Sequence, residues 1–234
     1  PAGKVRVNPI PNTERVTFGS AAPSPDIPSW SDRPLYIVAG GPSLRGYDLS
    51  GLRARGRVLG VNRAADLVPC DATTSIDVHF MEKYRSQLVA WAAAGQEIWL
   101  AVPSDYQRAP LPGARYLERV RGEGCSLDPR AVINGLNSGY AAVNLAVLRG
   151  ARTIYLLGYD MLDLGQGIAH HWHDGYKWQG ARGTARCYTD WARRFDDLAR
   201  GIPAGVTVWN CNPESAVRAF PFMTYEAVGL VKRT

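Results

Sequence analysis

The end of one apolar run limits the possible folds of this chain more than any other feature of the sequence. Residues 35–39 are all apolar, and they lead directly into Gly40, Gly41, Pro42 and Ser43. A run of this kind is typical of a buried strand, and glycines without a Cβ let a ligand approach the main chain closely. Pro42 and Ser43 can begin a helical turn with free N–H groups, which bind anions. The segment predicts a strand followed by a phosphate-binding loop or by a tight turn without a ligand.

Short β-type runs and amphipathic segments alternate along the rest of the chain. The patterns predict strands at 35–39, 58–61, 73–76, 97–102, 153–157 and 206–210, and helices at 82–95, 137–149 and 190–200. This alternation is typical of a parallel sheet covered by helices on both faces. We therefore expect one α/β domain with an open, mostly parallel sheet over residues 34–234. A proline-rich, irregular arm is expected at residues 1–33.

The composition is that of a soluble globular protein. The chain has 234 residues, of which 46% are hydrophobic and 21% charged, and no apolar stretch reaches the length of a transmembrane helix. The first residues contain no apolar signal-peptide core, which favours a cytoplasmic location. The cysteines are widely spread and form no CxxC pair, so we expect reduced thiols rather than disulfides or a structural zinc site. They are Cys70, Cys125, Cys187 and Cys211.

The net charge narrows the classes of partner. A formal charge of +6 and a pI near 9.3 favour anionic partners, which include nucleotides, acidic glycans and nucleic acid. The arginines are spread along the chain without a dense run, so a mildly basic solvated surface is the alternative.

Polar residues follow several predicted strands. Asn62, Asp77, Asp160 and Asn212 come after four of them, and Gly158 ends one. Open parallel sheets bind ligands at the carboxyl ends of their strands, so these residues are expected to share one edge. Asn62 suits a phosphate or a ribose, and Asp77 suits a ribose hydroxyl, a metal ion or an acceptor. Either side chain equally suits a helix N-cap.

A second group of small and polar residues begins the predicted helix at 137–149. Asn137, Ser138 and Gly139 leave no bulk in its first turn. The free N–H groups of such a turn can approach a nucleotide, and the same pattern fits a capped helix that packs closely on the sheet.

Three of the four histidines lie in one loop, at His170, His171 and His173. Imidazole titrates near neutral pH, so one of them can accept the proton of an acceptor hydroxyl. A metal site with Asp160 or Asp174 is the rival interpretation, and a merely polar loop is the third.

The order of these motifs resembles that of bacterial sialyltransferases, which use CMP-sialic acid. It is also similar to a Rossmann-like group that includes 6-hydroxymethylpterin diphosphokinases and uncharacterised phage proteins. The resemblance covers residues 35–215 and implies a Rossmann-like domain with a nucleotide-donor cradle. This implied cradle comprises Gly41, Ser43 and Asn62, and Ser138, Gly139 and Asp160 complete its pocket. The predicted donor-binding residues also include Gly40, Pro42, Asn137, Gly158 and Asn212.

The candidate catalytic histidines lie at a different place in the sequence from the base of that family. Its base is a histidine before the last helix, whereas this sequence has no histidine between residues 175 and 190. The catalytic candidates are therefore His170, His171 and His173, together with Asp77. The family's tyrosine pair, which assists the leaving phosphate, corresponds loosely to Tyr176 and Tyr188.

The expected function is a glycosyltransferase that moves a sugar from a CMP- or UDP-linked donor to a hydroxyl acceptor. The acceptor is a glycan or a hydroxymethylated DNA base, and no metal ligand is assigned. One alternative is a diphosphokinase that uses ATP and Mg²⁺ held by Asp77 and Asp160. The other is a non-catalytic nucleotide-binding protein of phage type. A branched side chain at Gly41 is expected to displace the donor phosphate and leave the fold largely intact.

Overall fold

The computed structural model describes residues 29–162, 171–172 and 184–233, except for the side chains of 184–186. Within these ranges eight parallel strands form one sheet, and a two-stranded antiparallel sheet lies beside it. The strand order in the large sheet is β7-β6-β5-β4-β3-β1-β8-β9. In chain order the strands are β1 Leu35–Val38, β2 Tyr47–Asp48, β3 Arg57–Val61, β4 Ala72–Ser75, β5 Glu97–Val102, β6 Ala114–Val120, β7 Ala131–Ile133, β8 Thr153–Leu157, β9 Thr207–Asn210 and β10 Val231–Lys232.

The α-helices of the described ranges are α1 Leu52–Arg55, α2 Val78–Lys83, α3 Arg85–Ala93, α4 Ser138–Leu148 and α5 Thr184–Gly201. The helix predicted at 82–95 is in fact two helices, because the backbone leaves helical geometry at Tyr84 (φ −105°, ψ 20°). The other predicted helices are present, and α5 begins earlier than the sequence indicated.

The predicted α/β architecture is confirmed, but four strands were missed: β6 and β7 of the large sheet, and β2 and β10, which form the small sheet. The bounds predicted for β5 and β8 match the structure, and those for β1, β3, β4 and β9 differ by one residue at one end or both. Strand β6 escaped prediction because it reads Ala-Arg-Tyr-Leu-Glu-Arg-Val, in which only Leu117 is buried. Strand β7 has only three residues and lies at the sheet edge. Neither strand carries the long apolar run that is typical of a buried strand.

Helix α4 lies at the centre of the main core. Every residue from Ser138 to Val147 is buried, so the helix packs against its neighbours all around rather than on one face. It packs with β-strand residues such as Ile37 and Leu59 and with Phe195 of α5. A second apolar cluster, which includes Val38 and Tyr225, covers the opposite face of the central strands. The sheet is thus covered on both faces.

The end of the predicted N-terminal arm belongs to this core. Trp30 is fully buried, its N–H donates to the carbonyl of Arg149 (2.7 Å), and its ring meets Trp99 edge-on with centroids 6.4 Å apart. Residues 1–28 of the arm lie outside the described residues.

The four cysteines are free thiols in different surroundings. Cys187 on α5 is exposed, whereas Cys70 and Cys211 are buried. Burial raises the pKa of the Cys70 and Cys211 thiols to about 12 and that of Cys125 to about 11. Among the helices that the structure describes, none is both long and apolar enough to cross a membrane.

One buried amide in α4 fixes the segment that precedes α4. The Asn144 Oδ1 atom accepts hydrogen bonds from the N–H groups of Ser126 (3.0 Å) and Ile133 (2.9 Å). Its Nδ2 atom donates to the Ser126 carbonyl (2.9 Å) and to Cys125 Sγ (3.1 Å). Asn144 therefore ties residues 125–133, including β7, to the central helix.

We predict that Asn144→Ala lowers the free energy of unfolding by about 2–4 kcal/mol, because two buried backbone donors lose their acceptor. Chemical denaturation measures this change. Asn134→Ala is the matched control, since its side chain accepts one hydrogen bond from the Leu136 N–H, and it should lose less than about 1 kcal/mol. Equal losses in the two variants would contradict the role given to Asn144.

Candidate functional site

A cavity of about 450 Å³ opens at the carboxyl edge of the sheet. Its volume lies within the range of small-molecule sites, which is about 300–1,000 Å³. Most residues singled out from the sequence line it, namely Gly40, Gly41, Pro42, Asn62, Asp77, Asn137, Ser138, Gly139, Gly158, Asp160 and His171. Ser43 and Asn212 lie behind the wall. His170 and His173 lie outside the described residues.

The glycine turn after β1 is bonded to the end of β8. The Gly41 N–H donates to the Gly158 carbonyl (2.9 Å). A Cβ on Gly41 would lie 2.5 Å from that carbonyl oxygen and 2.6 Å from the Asp160 Cγ. The space beside Gly41 is therefore filled by the protein. The expectation that a branched side chain here leaves the fold largely intact is wrong for this reason.

A buried carboxylate organises the turn. Asp160 is 4% exposed, and its Oδ2 accepts the Ser43 N–H (2.8 Å). Its Oδ1 accepts the Ser43 hydroxyl and the Asn212 side-chain amide (2.9 Å). Hydrogen bonds to an ionised carboxylate are about twice as strong as neutral ones. Ser43 and Asn212 thus hold Asp160 in place rather than forming the cavity surface.

Tyr225 extends this network from the C-terminal segment. Its phenol oxygen lies 2.6 Å from Ser43 Oγ and accepts the Gly158 N–H (3.1 Å). Burial, together with the charge of Asp160, raises the pKa of Tyr225, so the phenol stays protonated at neutral pH. Sequence reasoning missed Tyr225, because nothing in its local pattern distinguishes it from a core tyrosine.

Backbone strain is concentrated at this cavity. Across the described residues, three non-glycine residues have positive φ: Asn62 (55°), Leu136 (62°) and Met161 (47°). All three line the cavity. The left-handed conformation costs roughly 1–2 kcal/mol for a residue with a side chain, and such strain collects at functional sites. Asparagine tolerates it best, so only Asn62 could have been suspected from the sequence.

Asn62 also has an unsatisfied polar atom. Its side-chain Oδ1 is buried and has no hydrogen-bond partner among the residues described. A buried acceptor without a partner costs free energy that a ligand donor can recover. Asn62 is thus a cavity-lining residue whose side chain carries a buried acceptor without a described partner.

The first turn of α4 serves both packing and the cavity. Asn137 caps it, accepting the Tyr140 N–H (2.7 Å), and Ser138 Oγ accepts the Ile76 N–H (3.3 Å). A Cβ on Gly139 would lie 2.9 Å from the Tyr159 ring, so this glycine is required by close packing. Helix starts leave N–H groups without intrahelical partners, which is a general feature of anion sites, and the Asn137 cap takes that of Tyr140 here.

Asp77 is the N-cap of α2, as one of the two interpretations predicted. Its Oδ1 accepts the N–H groups of His79 (2.9 Å) and Phe80 (3.3 Å). The residue also lines the cavity.

His171 lies directly on the glycine turn. The Trp172 N–H donates to the Gly40 carbonyl (2.9 Å), and Arg45 donates to the His171 carbonyl (2.7 Å). A Cβ on Gly40 would approach the His171 Nδ1 to 2.9 Å. The glycine therefore provides the room in which this imidazole packs against the main chain.

Aromatic and cationic side chains complete the wall. The Arg63 guanidinium lies 5.5 Å from the Tyr84 ring and 5.9 Å from the Trp172 ring, and it pairs with Asp66 (2.8 Å). Burial raises the pKa of Tyr188 to about 12, so its phenol is protonated at neutral pH. Arg119, Trp191 and Leu136 also line the cavity and were not assigned to the site from sequence.

The described parts of the chain contain no group of three or more His, Cys, Asp or Glu side chains that could hold a metal ion.

Comparison with known proteins shows similarity in structure but not in sequence. No protein-family model and no curated protein matches the sequence. The fold is similar to that of the sialyltransferase CstII from Campylobacter jejuni, solved in complex with a substrate analogue, cytidine-5'-monophosphate. The TM-score is 0.50 at 15% sequence identity, over 87% of this chain and 91% of that chain. This similarity shows that the two proteins share a fold.

The packing around Gly41 generates a stability prediction. Gly41→Ala should lower the free energy of unfolding by about 2 kcal/mol or more, because its Cβ meets a backbone carbonyl that cannot move freely. Gly51→Ala is the control, since nothing lies within 4 Å of its Cβ position and its φ is −82°. Chemical denaturation of both variants makes the comparison. Wild-type stability in Gly41→Ala would contradict the packing described here.

Proposed function

We propose that this protein is a glycosyltransferase that moves a sugar from a nucleotide-activated donor to a hydroxyl acceptor. The observation that carries the proposal is the strained, unsatisfied Asn62 at a cavity framed by a glycine turn and a helix N-terminus. The similarity to a sialyltransferase bound to cytidine-5'-monophosphate supports a CMP-linked donor over a UDP-linked one.

The donor phosphate lies between the glycine turn and the first turn of α4. Gly40 and Gly41 line the cavity there without a Cβ, and the Gly41 N–H is already bonded to the Gly158 carbonyl. The first turn of α4 therefore supplies the positive end of a helix dipole, which favours a negative charge. Asn62 Oδ1 accepts a hydrogen bond from a ribose hydroxyl or a base amino group, which supplies its missing partner. Asp160 fixes the turn through Ser43 and Asn212, and therefore acts on the donor indirectly.

His171 is the base among the described histidines. An imidazole nitrogen takes the proton of the acceptor hydroxyl, the acceptor oxygen attacks the anomeric carbon, and the bond from that carbon to the phosphate oxygen breaks. Tyr188 keeps its proton at neutral pH and can donate a hydrogen bond to the departing phosphate. Asp77, His170 and His173 stay predictions from the sequence.

The acceptor is a glycan or a hydroxymethylated DNA base, and the net charge of +6 favours an anionic one. The alternatives of an ATP-dependent diphosphokinase and a phage-type nucleotide-binding protein gain no support from the comparisons.

A nucleotide panel tests donor binding. We expect CMP to raise the Tm more than UDP, GDP or ATP, and to do so without Mg²⁺, because a ligand that binds only the folded state stabilises it by about 2.7 kcal/mol at 100 times its Kd. Thermal shift with and without Mg²⁺ makes the measurement. Stabilisation only by ATP with Mg²⁺ would favour the diphosphokinase, and no response to any nucleotide would overturn the proposal.

His171→Ala should lower the rate of sugar transfer from a CMP-linked donor by roughly a hundredfold or more, as expected for loss of a general base. CMP affinity, measured by calorimetry, should change little. His79→Ala is the control, because that histidine is exposed and its ring does not line the cavity. Equal activity in both variants removes His171 from catalysis, and activity that EDTA abolishes and Mn²⁺ restores would indicate metal ligation instead.

A further inference from the structure

One positively charged side chain on the cavity wall has no carboxylate partner in the described chain. Among the described residues, Arg63, Asp77, Arg119 and Asp160 are the Asp, Glu, Lys and Arg residues that line the cavity. Arg63 pairs with Asp66, and the two aspartates accept hydrogen bonds from backbone N–H groups. No described carboxylate lies within ion-pair distance of Arg119, whose guanidinium makes its hydrogen bond to a backbone carbonyl. Arg119 therefore brings an unpaired positive charge to the wall.

The guanidinium of Arg119 lies close to the start of α4. Arg119 is the penultimate residue of β6, and its Nη1 donates to the Ile76 carbonyl (2.7 Å) at the end of β4. The Ile76 N–H in turn donates to Ser138 Oγ (3.3 Å) in the first turn of α4. The Nε and Nη2 atoms of Arg119 make no hydrogen bond in the described chain and are not among its buried, unsatisfied atoms. A ligand in the cavity can therefore reach them.

The nucleoside contact proposed for Asn62 lies beside this guanidinium. Asn62 follows β3 and Ile76 follows β4, and these neighbouring parallel strands lie about 4.8 Å apart. A nucleoside bound at Asn62 therefore adjoins the part of the wall that Arg119 and the first turn of α4 form. The phosphate is the charged group of a nucleoside monophosphate at neutral pH. An unpaired guanidinium favours this group over the neutral nucleoside, because hydrogen bonds between two charged groups are the stronger ones.

We propose that Arg119 binds the phosphate of the donor nucleotide beside the first turn of α4. The inference rests on the proposed function, because it names a residue of the donor site. The planar guanidinium donates two parallel hydrogen bonds to phosphate oxygens through Nε and Nη2, while Nη1 keeps its bond to Ile76. When the bond from the anomeric carbon to the phosphate oxygen breaks, its electron pair passes to that oxygen. The guanidinium stabilises the negative charge that develops there.

Calorimetry with CMP and cytidine, two probes that differ only in the phosphate, tests this contact. Arg119→Gln should bind CMP about tenfold or more weakly than the wild type, because the charged hydrogen bonds to the phosphate are lost. Its affinity for cytidine, measured by displacement of CMP, should stay unchanged, since the glutamine amide can still donate to the Ile76 carbonyl. Arg115→Gln is the matched control, because Arg115 lies on the same strand but outside the cavity. It should bind CMP as the wild type does.

Three results would overturn the phosphate contact alone. They are an unchanged CMP affinity in Arg119→Gln, an equal loss of affinity for CMP and cytidine, which would show a role in the structure of the wall, and a wild-type protein that binds CMP no more tightly than cytidine. A wild-type protein that binds neither probe would overturn the proposed function and the phosphate contact with it. Tight CMP binding that depends on Arg119, without sugar transfer from any CMP-linked donor, would overturn the proposed function and leave the phosphate contact standing.

Discussion

The carboxylate of Asp160 is the interaction on which the candidate site depends. It accepts hydrogen bonds from the main chain and the side chain of Ser43 and from Asn212, so it joins three segments that are far apart in sequence. Tyr225 adds a fourth segment through Ser43 and Gly158. The glycine turn owes its position to this buried polar network rather than to apolar packing alone. A network of this kind is stable only when each member is satisfied, which explains why so many residues behind the wall are polar.

The cavity wall, unlike the hydrogen-bonded network around Asp160, contains strained and unsatisfied groups. Asn62, Leu136 and Met161 adopt the left-handed conformation, which leucine and methionine disfavour most, and the side-chain Oδ1 of Asn62 has no hydrogen-bond partner in the described chain. The hydrogen-bonded network around Asp160 thus supports a cavity wall that contains strained backbone and an unsatisfied acceptor. This division is expected where a protein gives up stability for binding, since the strain persists only if the surroundings hold it.

Much of the fold was predictable from the sequence because β1, β3 and β8 are largely apolar and are closely followed by glycine or polar residues. The same pattern located most of the cavity wall, since the carboxyl ends of parallel strands meet at one edge. Strand β6 was missed because charged residues interrupt its apolar pattern, and strand β7 was missed because it has only three residues. Leu136 and Met161 could not be found, because no local pattern announces a leucine or a methionine with positive φ. Ser43 and Gly41 were correctly placed in the turn, but their contacts are with protein atoms, which only the packed structure reveals.

Because the four thiols differ in burial, one cysteine can be labelled selectively with a dye. Cys187 is exposed on α5 and is followed by Tyr188, which lines the cavity, whereas the other thiols are buried or half-buried, with pKa values raised well above neutral pH. Thiolates are the reactive species, so a maleimide dye should modify Cys187 first. A fluorophore there would lie at the edge of the cavity without any engineered cysteine. A change in its fluorescence on addition of CMP would then report the donor binding proposed above.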